Sequence, residues 1–334
     1  MKTLYLHIGT GKTGSTSIQK TFCSLKSSAI DFRFDGNGVV GVGTPEDFLS
    51  RLESSSKETI VYSNEWLFKA GDKFLGTFSQ KLREIYKVKV VLYIRRQDEF
   101  VVSAYQQAAK NSLSSSEFGS IALPWAYPEV NLNYYKIASR WAQYFGEDNI
   151  IVRVFSGEQL IGGCAVRDFA EVIGAPMEAS EVIQANESAG VIAVKLGHIL
   201  NSLGVNLDEE LREELVLNAP ESVKSLPDKA SAELFYERFR PSNALLKEKF
   251  KINSPYESIF NSDFSKYPAL RSDLWTDDLA NEAIVHILNT FLLSKSEGGD
   301  DVCQSSSDVI AWKNRAVNVV SGLIGRIRNL RSRA

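Results

Sequence analysis

The sequence predicts an α/β protein, three layers thick, with a parallel sheet at its centre and a helix-rich C-terminal half. Three observations predict it. Short runs of β-branched and aromatic residues alternate with stretches whose apolar residues recur every three or four positions, as far as about residue 155. One run, Val88-Lys89-Val90-Val91-Leu92-Tyr93-Ile94, is almost continuously apolar, as a central parallel strand covered on both faces should be. From Val166 onward the apolar spacing is helical.

In chain order, a strand over Leu4, Tyr5, Leu6 and Ile8 leads through a glycine-rich turn into a helix over 15–27. Residues 31–43 are Gly-rich, with only a short Phe-Arg-Phe alternation for an edge strand. Thr59-Ile60-Val61-Tyr62-Ser63 is the next strand, and the stripe Phe74, Leu75, Phe78, Leu82, Ile85 makes 74–86 a helix leading into the run that starts at Val88. Helices follow over 97–110 and 134–145, then a turn over 146–149 and a strand over 150–155. Strand and helix alternate throughout, which predicts right-handed crossovers. Beyond lie helices over 166–173, 189–201, 208–215, 231–239, 243–250 and 277–293. The main domain is expected to span 1–293, followed by a polar linker over 294–307 and a basic amphipathic helix over 308–334 that packs on its own domain or a second subunit, or contacts an anionic membrane surface or a partner.

Composition narrows the classes. With 334 residues, 44% hydrophobic and 24% charged, the chain can bury one sizeable core or two small ones. A formal net charge of -3 gives no bulk attraction to nucleic acid, so an anionic ligand has to be held by local charge. Cys23, Cys164 and Cys303 are far apart and form no CxxC pair, which implies neither a disulfide framework nor a zinc site. His7, His198 and His286 lack ligand spacing, so no metal is expected. The first strand begins by Thr3 and no run of about 18 apolar residues follows, so the expected location is cytoplasmic.

The chemistry concentrates in residues 4–20, LYLHIGTGKTGSTSIQK. The order is strand, loop (Gly9, Thr10, Gly11, Lys12, Thr13, Gly14), helix start (Ser15, Thr16, Ser17). Glycines let backbone N–H groups turn inward, the helix N-terminus adds partial positive charge, and Lys12 adds a full one, so an anion should sit there. The loop is not a Walker A sequence, which needs Gly five residues before the Gly of Gly-Lys; here that position is Leu6. Two more residues end strands in the same way: Glu65 follows the second strand and Arg95 the third. Ligands of open parallel sheets collect beyond the carboxyl ends of the strands, so one crevice can receive Lys12, Glu65 and Arg95. Ser103, eight residues after Arg95, lies about two turns into the next helix, where a hydroxyl and a guanidinium could grip one phosphate.

The series Lys12-Thr13-Gly14-Ser15-Thr16-Ser17 resembles the 5′-phosphosulfate-binding loop of sulfotransferases that use 3′-phosphoadenosine 5′-phosphosulfate (PAPS), especially the carbohydrate-type and bacterial members. The Arg95/Ser103 spacing resembles their 3′-phosphate motif, and Glu65 matches the acidic residue that many carbohydrate-type members use as catalytic base. NYYKIASRWAQYFGEDNIIVRVF (133–155), RDFAEVIGAP (167–176), the Asn-Glu-Ser at 186–188 and RPSNALLKEKF (240–250) extend the resemblance over roughly 1–293. Where some members place an adenine-stacking aromatic, this chain has Ile18 and Gln19.

The resemblance implies a P-loop NTPase-like fold and transfer of a sulfuryl group from PAPS to a hydroxyl, or an amine, of an acceptor such as a glycan or glycoconjugate, releasing 3′-phosphoadenosine 5′-phosphate (PAP). Gly11, Lys12, Thr13, Gly14, Ser15, Thr16, Ser17, Arg95 and Ser103 would hold the nucleotide, Glu65 would take the acceptor proton, and Lys12 would steady the leaving phosphate without a metal. Trp125, Tyr127 and Tyr134 offer either an acceptor platform or core. Two other classes stay open: a nucleoside-triphosphate kinase, which would more naturally end the third strand in a metal-holding Asp, and a non-catalytic binding scaffold.

Overall fold

Tyr86–Ile94 is the longest strand of the sheet, and seven of its nine residues are buried, as its unbroken apolar run requires. The computed structural model describes residues 1–25, 30–34, 44–52, 55–110, 131–175, 182–183, 190–202, 209–220, 222–272, 276–293, 321–322 and 324–327. Within them the elements run β1 (Lys2–His7), α1 (Ser15–Ser24), β2 (Ile30–Phe34), α2 (Pro45–Leu52), β3 (Thr59–Ser63), α3 (Asp72–Ile85), β4 (Tyr86–Ile94), α4 (Gln97–Lys110), α5 (Tyr134–Phe145), β5 (Ile150–Val154), α6 (Ala165–Val172), α7 (Val191–Ser202), α8 (Glu209–Arg212), α9 (Lys229–Glu237), α10 (Arg240–Lys249) and α11 (Asp277–Leu293). All strand pairs are parallel, in the order β2-β3-β1-β4-β5, so β1 is central.

Side chains alternate across the strands, and each face has its own helices. On one face Val61, Val91 and Tyr93 bury against Ile18 and Phe22 of α1 and Val166, Phe169 and Ala170 of α6. On the other, Phe48 of α2 packs on Tyr62 (4.1 Å between ring centroids) and on Phe78 of α3, which meets Phe145 of α5. The result is the expected three-layer α/β arrangement. The expected 150–155 strand and helices agree with these elements to within a few residues, and β2 covers the start of the 31–43 segment, of which 35–43 lie outside the described residues; there are three differences. Helix α2 was not expected. The first helix ends at Ser24, with 26–29 outside the described residues. The expected 208–215 helix is α8 followed by a wider π turn, Glu213–Leu217, in which Leu215 and Val216 both bury.

The chain forms two compact units: 1–100, 128–186 and 235–262 make the first, and 101–127, 187–234 and 263–334 the second. The first holds the sheet. In the second, Ile192, Leu196, Ile199 and Leu200 of α7, Leu215 and Val216, Ala280, Ala283 and Ile287 of α11, and Ile327 share one apolar cluster. The last carbonyls of α4 are satisfied there: Asn201 Nδ2 donates to Ala108 O (3.1 Å) and Arg212 Nη2 to Ala109 O (2.9 Å). A Cβ on Gly197 would stand 2.1 Å from Ala109 O, so only glycine allows that approach. The 294–307 linker, Cys303, Trp125, Tyr127 and the 186–188 motif lie outside the described residues. Of the 308–334 helix only 321–322 and 324–327 are described, both helical.

In the first unit, fully buried Asp168 of α6 accepts from Tyr93 Oη (2.6 Å), Arg153 Nε (2.8 Å), Arg153 Nη2 and the Ile161 N–H (3.2 Å). Burial and the Asp168 charge raise the Tyr93 phenol well above its usual value, so it stays a donor. Removing one partner from such a network leaves the others buried and unpaired. Asp168→Ala should therefore lower stability by about 3 kcal/mol, read as a fall in the denaturant midpoint. A midpoint equal to wild type would show that the network is energetically idle.

Candidate active site

Pairing between β1 and β4 does not stop where β1 ends. The Ile8 N–H donates to Val91 O (3.0 Å), the Tyr93 N–H to Gly9 O (2.7 Å) and the Thr10 N–H to Tyr93 O (2.7 Å), and Thr10 Oγ1 adds a bond to the same carbonyl (3.2 Å). The loop is thus anchored before it turns. Thr13 Oγ1 then donates to Thr10 O (2.5 Å), which closes the turn from within. Gly14 takes φ 80°, and a Cβ there would meet Ala165 Cβ at 2.8 Å and Phe155 Cε2 at 3.2 Å, so glycine is required both for conformation and for space.

Helix α1 begins at Ser15 after Gly14, which has no side chain to cap it, and its first turn holds no acidic residue. Its N-terminal amides and positive dipole end suit an oxyanion. Ser15 is buried and Thr16 and Ser17 are half-buried in that turn. These features fit an oxyanion such as a phosphate.

Lys12 has φ 64°, the left-handed region, which costs a side-chain-bearing residue about 1–2 kcal/mol. Arg95, at the end of β4, helps hold it there: Arg95 Nη1 donates to Lys12 O (3.1 Å) while Nε pairs with Glu99 Oε2 (3.2 Å) and the guanidinium lies 5.4 Å from the Phe155 ring centroid. The Arg95 carbonyl accepts from Tyr134 Oη (2.7 Å). Tyr134 is fully buried, so of the two roles open to it the structure gives core. Ser103 lies two turns into α4, in the stretch that belongs to the second unit.

Glu65 follows β3 and turns onto the loop. A Cβ on Gly11 would stand 2.9 Å from Glu65 Oε2, and one on Gly9 would stand 3.2 Å from Glu65 O. Burial raises the Glu65 carboxyl above its ordinary range, against the opposing effects of the Lys12 charge and a hydrogen bond from Ser15. Lys12, Glu65 and Arg95 therefore meet at one loop within one unit. Sequence reasoning missed Thr10 and Tyr93 as anchors, and Arg95 as a support for the loop. Beneath them fully buried His7 bonds Ser63 Oγ through Nδ1 (2.8 Å), Gln19 Nε2 donates to the same oxygen (3.0 Å), and burial pushes the imidazole down to about 4.

No family model matches the chain. A stretch of 134 residues is 32% identical to an uncharacterized protein of Archaeoglobus fulgidus; it covers 40% of this chain and spans only 33% of that relative's length. Among solved structures, a sulfotransferase from Alicyclobacillus acidocaldarius is similar at 16% identity and a TM-score of 0.43, over 76% of this chain and 97% of that one. A likeness that loose adds nothing to the residues themselves. Among the described residues no helix is long and apolar enough to cross a membrane.

The balance at Glu65 is measurable. Its carboxyl should titrate above the ordinary glutamate value of about 4.3 in a carbon-13 NMR titration, and higher still in Lys12→Ala, where the opposing charge is gone. A raised folded-state value means that the folded chain binds more protons than the unfolded one between the two values, so stability falls as pH rises through that window. Glu65→Gln should accordingly unfold at a higher temperature than wild type at pH 7. An ordinary or depressed titration would remove burial as the dominant influence.

Proposed function

We propose that this chain is a sulfotransferase moving a sulfuryl group from PAPS to the hydroxyl of an acceptor, a glycan or glycoconjugate, and releasing PAP. The observation that carries the reading is the position of the Glu65 carboxylate against Gly11 of a loop that also carries Lys12 and leads into the N-terminus of α1. A cradle for an oxyanion with a partly desolvated base beside it suits transfer from a nucleotide to a hydroxyl.

PAPS, when bound, supplies an already activated sulfuryl group on a phosphate leaving group. The amides of Gly11 to Ser15 hold the 5′-phosphate still, and Lys12 offsets the charge that grows on it as the S–O bond to phosphate breaks. Glu65 accepts the acceptor's hydroxyl proton as the new O–S bond forms. Its raised pKa makes it a stronger base than an exposed carboxylate. Arg95, whose Nη1 donates to Lys12 O, is assigned to the nucleotide's 3′-phosphate.

Calorimetry separates this from a kinase. PAP should bind without metal, and ADP should bind weakly with or without Mg²⁺; tight Mg²⁺-dependent ADP binding with PAP ignored would reverse the assignment. With labelled PAPS, Glu65→Gln should lower kcat about 100-fold or more while PAP affinity stays near wild type. Arg95→Ala should weaken PAP far more than adenosine 5′-monophosphate, and equal losses would take the 3′-phosphate away from Arg95.

A further inference from the structure

Directly after Glu65 the chain winds into one tight turn. The Trp66 N–H donates to Asn64 Oδ1 (2.8 Å), the Leu67 N–H to Asn64 O (3.2 Å), the Lys69 N–H to Trp66 O (3.0 Å) and the Ala70 N–H to Leu67 O (2.9 Å). Leu67, Phe68 and Ala70 are buried and lock the turn to the domain. Two residues are left outward: Trp66, 38% exposed, and Lys69. Lys69 Nζ sits 4.4 Å from the Trp66 ring centroid and 5.5 Å from that of Phe68.

An exposed tryptophan on a rigid turn loses little conformational freedom on binding and offers a large flat surface. The ammonium beside it is held by aromatic faces, with no carboxylate seen within ion-pair distance among the described residues, and burial lowers its pKa. Asp72, the next acidic residue along the chain, accepts from Tyr144 Oη (3.1 Å). A second cation borders the turn, since Arg140 Nη1 donates to Ala70 O (3.2 Å). A partly desolvated positive charge with no carboxylate in ion-pair reach among the described residues, four residues after a carboxylate base, is complementary to a negatively charged substrate.

We propose that Trp66 and Lys69 form the acceptor subsite beside Glu65, and that the acceptor is an anionic sugar: a ring lies against the indole and a carboxylate or an existing sulfate pairs with Lys69. This rests on Glu65 being the base of the transfer reaction. Lys69 takes no part in the bonds made and broken; it selects the acceptor and sets which hydroxyl faces Glu65.

The test is binding, read by tryptophan fluorescence in the presence of PAP. The probes are a glucuronate-containing oligosaccharide, the same oligosaccharide after reduction of its carboxylates to alcohols, and that neutral form after chemical sulfation. At least one charged probe should bind about tenfold or more tightly than the neutral one, and which of them does so distinguishes carboxylate from sulfate. The fluorescence change should vanish in Trp66→Phe. Lys69→Gln should weaken the charged probe about tenfold and leave the neutral one unmoved, while Lys69→Arg keeps the preference; thermal melts matching wild type exclude misfolding. Equal affinity for charged and neutral probes, no binding of any probe, or a Lys69→Gln variant that keeps the preference overturns the subsite. Calorimetry with PAP alone reports on the nucleotide reading separately, so a chain that binds PAP and ignores charge on the sugar loses only the subsite.

Discussion

The backbone bonds between Gly9, Thr10 and Tyr93 are the constraint on which the rest of the site depends. A glycine-rich loop has many conformations open to it, and an anion site built from amides works only if those amides are fixed before the ligand arrives. Here β4 continues to pair with the chain after β1 has ended, so β4 itself carries the loop to its turning point. Thr13 and Gly14 complete the turn, and α1 starts at once. The same β4 ends in Arg95, which reaches back to Lys12. One strand thus holds both sides of the loop, and the Tyr93 side chain, tied to Asp168, fixes that strand to the helix below it.

Burial and charge oppose each other at Glu65, and both are needed. A carboxylate fully at ease beside Lys12 would be a weak base; one buried without a cation would stay protonated and could take nothing. The structure gives burial the larger effect and Lys12 the smaller, opposing one. That compromise costs stability at neutral pH, which is the usual relation between a reactive group and the fold that holds it.

The sheet and the meeting of Lys12, Glu65 and Arg95 were legible because each depends on local sequence: continuous β-branched runs mark buried parallel strands, and parallel strands deliver their ends to one edge. Helix α2 was legible too but went unread. Thr44 and Asp47 form a reciprocal cap, with the Asp47 N–H donating to Thr44 Oγ1 (3.1 Å) and the Thr44 N–H to Asp47 Oδ2 (3.3 Å), and Pro45 stands at the first helical position. What no local pattern contains is long-range pairing. Tyr134 looks as much a binding aromatic as a core one until its hydroxyl is found on the Arg95 carbonyl. Gln97 and Asn243, 146 positions apart, exchange hydrogen bonds of 2.9 and 3.1 Å that nothing in either neighbourhood announces.

His7 stands two residues before the loop, closer to it along the chain than any other ionisable side chain except Lys12. His7 Nδ1 and Gln19 Nε2 both bond Ser63 Oγ, and an imidazole with a pKa of about 4 carries no charge anywhere near neutrality. The floor of the crevice is therefore electrically silent over the range in which cells operate. His7 therefore adds no pH dependence of its own to the proposed holding of an anion at the loop above it.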